Sequence, residues 1–369
     1  MELQAKSKSL WSTFKNAYLR KRNLKGFWAK LDKKNLPSDF VTTFDLYLNS
    51  PSYKWSSKFW RHLIMLDLSL IASGKYKNYE NIISRHYFTS TDFDENSIKN
   101  LCNNNIELKK ISSNINLFKK QDNLNWIQSI NHNLILLLLY ENIKLKKVFK
   151  YLNKIKKNNL LVEHSLNIDG NEITQDILNS LDEYEKIEKL IQKMLIKKKT
   201  SLEIGAGSGR TAKTILSIND DAKYVITDVP PAINVSYNNL KACFPNKKIA
   251  KGFKYNREEL IDAYNKNDIL FIFPHQIQFF PEKTFEISIA IDCLHEMESK
   301  IINQYMINFE KVSKLLYFKV WENAGLPYSF YKHYSVHNKK DYFIKESWEE
   351  LFKERCLYPS KYFHLAYKF

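Results

Sequence analysis

The chain has 369 residues, with 57 lysines and arginines against 40 aspartates and glutamates, a net charge of +17, and 44% hydrophobic residues. That length and apolar share suit a globular protein with a full core and two domains. Cys102, Cys243, Cys293 and Cys356 show no Cys-x-x-Cys spacing, the opening MELQAKSKSLW has no apolar signal core, and the longest apolar run is Leu134–Leu139. These features argue against a zinc ribbon, a disulfide framework and a bilayer span, and they fit a reducing, cytoplasmic setting.

Residues 1 to about 165 read mostly as helix. Trp11, Phe14 and Tyr18 recur at helical spacing, as do Phe59, Leu63, Leu66 and Leu70. Pro37 and Pro51 divide this region, and Asn123 to Leu152 reads as one or two buried helices. The run Asn167-Ile168-Asp169-Gly170-Asn171 predicts a turn. Ser180 followed by Glu183 reads as a capping box for a helix reaching about Ile196. We therefore expect a mostly α-helical N-terminal domain over residues 1–170 and a second domain over 171–369. The first would serve as lid, acceptor recognition or dimer contact.

Three of the eight glycines fall in the run Glu203-Ile204-Gly205-Ala206-Gly207-Ser208-Gly209-Arg210. A short strand candidate, Thr200-Ser201-Leu202, precedes it, and a helix candidate, Thr211 to Leu216, follows. Strand, glycine loop and helix start bring unpaired N–H groups close to a nucleotide-like ligand. The spacing misses G-x-G-x-x-G by one residue and contains no P-loop. An acid on the strand before the glycines suits a cationic, amino-acid-like ligand. Further on, Tyr224-Val225-Ile226-Thr227 ends at Asp228, placed to accept ribose hydroxyls. The strand Ile269–Phe273 closes at Pro274, ahead of His275 and Gln276. Phe285–Ile291 runs into Asp292-Cys293-Leu294-His295-Glu296-Met297. A helix over Lys300–Ser313 and a strand over Leu315–Val320 complete an alternation that predicts a parallel sheet wound on both faces.

The strand, acid and glycines resemble the first motif of class I S-adenosylmethionine-dependent methyltransferases. The ordered set EIGAGSGR, VITDVPP, FIFPHQI and FEISIAIDCLHEM is similar to sugar O-methyltransferases of bacterial polysaccharide and glycoside gene clusters. The likeness covers roughly residues 175 to 369. It implies an α/β class I methyltransferase (Rossmann-like) doubly wound sheet in the C-terminal half, with S-adenosylmethionine as cofactor. It assigns cofactor contacts to Glu203, Gly205, Ala206, Gly207, Gly209, Asp228, Val229 and Asp292, with His275 and Gln276 against the adenine.

Methyl transfer to a hydroxyl needs an in-line acceptor and a general base, which contributes on the order of 10²–10⁴-fold. His295 is the candidate base, since an imidazole titrates near neutrality. Leu294-His295-Glu296 resembles a segment of plant-type small-molecule O-methyltransferases in which the histidine is the base. Glu296 could orient the imidazole or begin the next helix. Asp292 lies three residues before His295, a spacing also found in metal-dependent sugar O-methyltransferases. Asp292, Glu296 and Glu322 could hold Mg²⁺ if they converge, although a divalent metal is not favoured. Trp321, Tyr328, Phe330, Tyr331, His333, Tyr334 and His337 form an aromatic, histidine-rich stretch. Trp321, Glu322, His333 and Tyr334 are the candidate acceptor contacts, with core packing as the alternative for each.

The positive charge admits nucleic acid as a partner. The lysines are dispersed, however, and the densest group, Lys197-Lys198-Lys199, ends a predicted helix where cations suit the dipole. The segment after the fourth strand is Asp292-Cys293-Leu294-His295, without the [DN]-P-P-[YF] of base-methylating enzymes. The reading favoured by sequence is O-methylation of a sugar hydroxyl of a bacterial surface polysaccharide or glycoconjugate precursor. The acceptor would be a sugar, nucleotide-sugar or glycan, and peripheral membrane association or a homodimer would be compatible. Another small hydroxylated metabolite is the alternative, and RNA the weaker one. Intact Glu203, Gly205, Gly207, Asp228 and His295 argue against a scaffold without catalysis.

Overall fold

The computed structural model describes residues 23–74, 119–122, 124–158, 160, 164–196, 199–324 and 333–369. The expected helix around Trp11, Phe14 and Tyr18 lies outside these, as do Cys102, Lys197, Lys198, Tyr328, Phe330 and Tyr331.

The N-terminal part is helical where described: α1 Leu24–Lys30, α2 Ser38–Asn49, α3 Lys58–Ala72 and α4 Trp126–Lys144, with 3₁₀ turns at Pro51–Trp55 and Lys147–Lys154. Local chemistry sets the starts. The Asn23 side chain accepts from the Gly26 amide, Ser57 caps α3 through the Trp60 amide, and Asn125 with Gln128 forms a reciprocal box at α4. The apolar run in α4 buries Ile135 through Tyr140 on all sides, as expected for a helix without a polar face. In α3 the fully buried residues are His62, Ile64, Asp67, Leu68 and Ile71, while Phe59, Leu63, Leu66 and Leu70 are half-buried. Apolar residues occupy both stripes of this helix, so spacing alone selected the less buried one.

The Asp-Gly turn joins β1 Ser165–Ile168 to β2 Asn171–Thr174 as an antiparallel hairpin. Asp169 and Gly170 both have positive φ, 50° and 77°. This is the two-residue geometry whose twist matches the flanking strands. Helix α5, Gln175–Lys193, starts directly afterwards with Thr174 as cap. The expected capping box at Ser180 and Glu183 is therefore corrected. Both residues lie inside α5, where an i,i+3 pair shares one face as naturally as it shares a cap.

An eight-stranded sheet forms the second part, in the order β11-β12-β8-β7-β3-β4-β6-β5. The strands are β3 Thr200–Ile204, β4 Lys223–Thr227, β5 Ile249–Lys251, β6 Ile269–Ile272, β7 Phe285–Ile291, β8 Ser313–Trp321, β11 Glu349–Arg355 and β12 Tyr362–Lys368. Two short strands, β9 Asn323–Ala324 and β10 Tyr334–Ser335, pair separately. Strands β3 to β8 run parallel, and β12 is antiparallel to both β8 and β11. Helices α6 Arg210–Ile218, α7 Ala232–Cys243, α8 Arg257–Lys266 and α9 Ser299–Val312 make the crossovers. Counting β3, β4, β6, β7 and β8 in chain order gives 3-2-1-4-5, the doubly wound Rossmann-like order of a class I methyltransferase fold. The winding reverses between β3 and β7, so a ligand crevice is expected at their carboxyl ends.

Sheet residues alternate between two apolar layers. Tyr224, Phe271 and Tyr317 join a cluster that also contains Leu24, Phe44 and Leu136 of the N-terminal helices. Leu202, Ile272 and Phe318 pack with Phe309 of α9 on the opposite face. Burial on both faces explains why these strands read as continuous apolar runs. Among the described residues no helix is long and apolar enough to cross a membrane.

Candidate active site

A cavity of about 260 Å³ opens at the β3/β7 switch point. Its floor is the glycine loop. Gly205, Gly207 and Gly209 all have positive φ. A Cβ on Gly205 would lie 2.6 Å from the Cβ of Cys293, so the loop is pressed onto the segment after β7. The Gly205 amide donates to the Thr227 carbonyl at 2.9 Å, which ties the loop to the end of β4.

Four carboxyl groups line the cavity: Glu203, Asp228, Asp292 and Glu296. Glu203 accepts from the Tyr224 hydroxyl at 2.8 Å, and burial pushes its pKa up to about 7. Asp228 accepts from the Gly207 amide at 2.9 Å and from the Val229 amide at 2.7 Å, clamping the glycine loop to the second strand. Burial raises its pKa to about 6 against those two donors. Both groups thus have an increased share of the protonated form near neutrality.

Asp292 takes part in a mostly buried quartet. Arg210 forks onto Glu183 at 2.5 and 2.9 Å, donates to the Ser180 hydroxyl at 3.0 Å, and lies 3.5 Å from Asp292. Lys319 donates to Glu183 at 3.0 Å and to Asp292 at 3.2 Å. Two cations balance two carboxylates. Burial opposes the charge on Glu183, yet Arg210 and Lys319 hold it below the usual carboxylate range. Asp292 itself has φ 57°, and its Oδ1 is buried without a hydrogen-bond partner among the described residues.

Glu296 ends the 3₁₀ turn Leu294–Glu296 and accepts from the Trp60 indole Nε1 at 2.8 Å. Burial lifts its pKa to about 8, with Asp292 and Asp228 adding to the rise and the indole N–H opposing it. His295 is buried beside it and does not line the cavity. Its ring stacks on Trp321 at 5.2 Å and meets the edge of Tyr362 at 5.8 Å. Burial, with Lys319 and Lys361, presses its pKa down to about 3, so the imidazole is neutral at pH 7. A 3₁₀ turn separates successive side chains by about a third of a rotation, so residues 295 and 296 face different ways.

Of the expected cofactor residues, Glu203, Gly205, Ala206, Gly207, Asp228, Val229 and Asp292 line the cavity. Gly209 is the N-cap of α6, at the end of the loop. His275 and Gln276 stand elsewhere, on the 3₁₀ turn Pro274–Phe279. His275 pairs with the Ser52 hydroxyl at 2.7 Å, and the Gln276 amide donates to the Gly252 and Tyr255 carbonyls. The candidate acceptor residues also lie off the cavity. Trp321 sits behind His295, and Glu322 is forked by Arg355 and bonded to His337. His333 is exposed, and the Tyr334 hydroxyl donates to the Met297 carbonyl at 3.0 Å. Asp292, Glu296 and Glu322 are not brought together. Among the described residues no group of three or more His, Cys, Asp or Glu is placed to hold a metal ion.

Sequence reasoning missed the far wall, formed by Trp55, Ser56, Ser57 and Trp60 from the N-terminal part with Tyr305 and Tyr362. Trp55 and Tyr305 meet edge to face at 5.2 Å. It also missed the partners of Arg210 and Lys319. Lys319 did leave a signal: a lysine between Phe318 and Val320 in an apolar strand needs a buried counter-charge.

No family model matches the chain, and no curated protein matches it. Solved structures superpose on about half of it. A Pyrococcus horikoshii OT3 protein shows 16% identity over 51% of this chain and 89% of its own, with a TM-score of 0.35. A magnesium protoporphyrin IX methyltransferase from Synechocystis PCC 6803, with bound S-adenosylhomocysteine, shows 11% over 53% and 85%, at 0.35. An S-adenosylmethionine-dependent methyltransferase from Clostridium acetobutylicum ATCC 824 shows 10% over 50% and 89%, at 0.34. These values leave the functional reading to the site itself.

Proposed function

We propose that the protein is an S-adenosylmethionine-dependent methyltransferase that acts on a hydroxyl of a small acceptor. A sugar hydroxyl of a bacterial surface polysaccharide or glycoconjugate precursor is the acceptor we put forward. The observation that carries this reading is the meeting of Glu203, the left-handed glycine loop and Asp228 with Glu296 in one cavity at the switch point. The donor set fits the cofactor. Asp228, fixed by two amides, would take the ribose hydroxyls. The close-packed glycine loop would pass along the ribose and methionine portion. The cluster of carboxyls suits an ammonium and a sulfonium.

When bound, S-adenosylmethionine supplies an electrophilic methyl whose sulfur departs as a neutral thioether. Glu296 is the chain's own contribution to the acceptor side. Its carboxylate would take the acceptor's O–H proton as the oxygen gains the methyl group. With its pKa raised to about 8, Glu296 is a stronger base than an ordinary carboxylate once ionised. His295, the candidate from sequence, would instead support the wall through Trp321 and Tyr362.

Calorimetry with S-adenosylhomocysteine tests the cofactor half, and labelled methyl transfer to a panel of glycosides and small hydroxylated compounds tests the reaction. Glu296→Gln should lose about 10²-fold or more in transfer, as for removal of a general base. His295→Ala should lose much less. The reverse ranking would return the base to His295, and failure to bind the cofactor product would end the proposal.

A further inference from the structure

The residues surrounding Glu296 come from three remote parts of the chain. Trp60 lies in the first turn of α3, Asp292 and Glu296 follow β7, and Tyr362 opens β12. The Trp60 indole N–H is the donor that fixes the Glu296 carboxyl, across 236 residues of sequence. Trp60 and Tyr362 add two aromatic rings to the same wall. The charge here is one-sided. Arg210 is the one cation lining the cavity among the described residues, and it is already forked onto Glu183 with Asp292 beyond. Lys319 is likewise bonded to Glu183 and Asp292. A phosphate on the acceptor ring, brought beside Glu296, would meet Glu296 and Asp292 and no uncommitted cationic side chain among the described lining residues. Burying a charge without such a partner is costly. A neutral ring meets neither penalty, and it can lay an apolar face on an indole.

We infer that Trp60 is a positioning residue that holds Glu296 toward the acceptor, and that with Tyr362 it selects an acceptor whose reacting ring carries no negative charge. The inference rests on the methyl-transfer reading above and sharpens it. A nucleotide-sugar or lipid-linked phosphate could be accepted only with its phosphates kept outside this cavity.

Two measurements test it. In the first, the full chain saturated with S-adenosylhomocysteine is titrated with phenyl glycosides and with the same glycosides bearing a ring phosphate. At least one uncharged glycoside should bind tenfold or more tighter than its phosphorylated partner. Equal or tighter binding of the phosphorylated form, or no binding by any uncharged member, overturns the inference. If S-adenosylhomocysteine itself fails to bind, the methyl-transfer reading falls and takes this inference with it.

The second follows the Glu296 carboxyl by difference infrared spectroscopy against Glu296→Gln across pH. Trp60→Phe keeps a ring but removes the donor, so the ionisation midpoint should rise by about one unit. A midpoint that stays put would show that Trp60 is only packing.

Discussion

Gly205→Ala gives the most direct test of the glycine loop. The residue has φ +63°, a conformation that costs an L-residue about 1–2 kcal/mol. The added Cβ would sit 2.6 Å from the Cys293 Cβ and 3.0 Å from its Sγ. The nearer atom is anchored to the backbone and cannot swing away, so overpacking adds about 1–3 kcal/mol. A total destabilisation of about 2–5 kcal/mol is expected, with at least a tenfold loss of S-adenosylhomocysteine affinity as the loop shifts. Cys293→Gly removes both clashing atoms and leaves the φ penalty. In a double-mutant cycle by urea denaturation, the pair should therefore show a favourable coupling of about 1–3 kcal/mol. A single-mutant cost under about 0.5 kcal/mol with unchanged affinity would refute the loop geometry. An additive cycle would show that Cys293 is not the obstacle.

Three further outcomes follow from the charged groups. Glu296 keeps its proton in the folded state up to about pH 8 but loses it near its ordinary value when unfolded, so its contribution to stability falls as pH rises through that window. Glu296→Gln should therefore gain on the wild type between about pH 5 and 8 and hold a plateau above. The plateau is worth about 2 kcal/mol after discounting for cavity water; melting curves with a constant gap across pH would falsify the raised pKa. Arg210→Met strips the fork from buried Glu183 and should cost about 3–5 kcal/mol in a thermal melt, with Arg210→Lys intermediate. A loss below 1 kcal/mol would show that Lys319 alone suffices. Tyr224→Phe removes the hydroxyl donor of Glu203, whose pKa should climb beyond about 7. Cofactor-product affinity measured against pH should then move its rise to higher pH, and an unmoved profile would disconnect Glu203 from the ligand.

The inner parallel strands were legible because they are buried on both faces and bounded by turn residues, so Phe285–Ile291 and Ile269–Ile272 stand out as apolar runs. The sheet edges were not. Strand β11, Glu349–Arg355, has the sequence EELFKER, and β5 is the three residues Ile249–Lys251. Edge strands half in water need no apolar run, and pairing with β12 holds β11 in place whatever its composition. In α3 and α5 the helix was readable but its buried face was not. Which stripe packs depends on partners distant in sequence, such as Arg210 for Ser180 and Glu183. The half of the cavity proposed for the cofactor was legible for a related reason. Glu203, the glycine loop and Asp228 belong to one strand-helix-strand unit, so sequence order mirrors spatial order. The half proposed for the acceptor joins Trp60, Glu296 and Tyr362, which only the finished fold brings together.

The net charge of +17 and the chemistry of the cavity point in opposite directions. A charge count sums over the whole surface and bears on solubility and encounter, whereas a site is decided by a few partly or wholly buried groups. Here those groups are four carboxyls, with the one lining cation among the described residues already committed. Three of the carboxyls, Asp228, Glu203 and Glu296, are pushed up to about 6, 7 and 8, so the cavity is less anionic near neutrality than its composition implies. A cationic sulfonium and ammonium would restore ionised carboxylates by the same coupling that lowers a carboxyl pKa beside any cation. On the proposed reading, cofactor binding would therefore deprotonate the site and leave Glu296 readier to take the acceptor's proton. On that reading the charge of the methyl donor and the readiness of the base are coupled, because acids with raised pKa values line the place where the donor would lie.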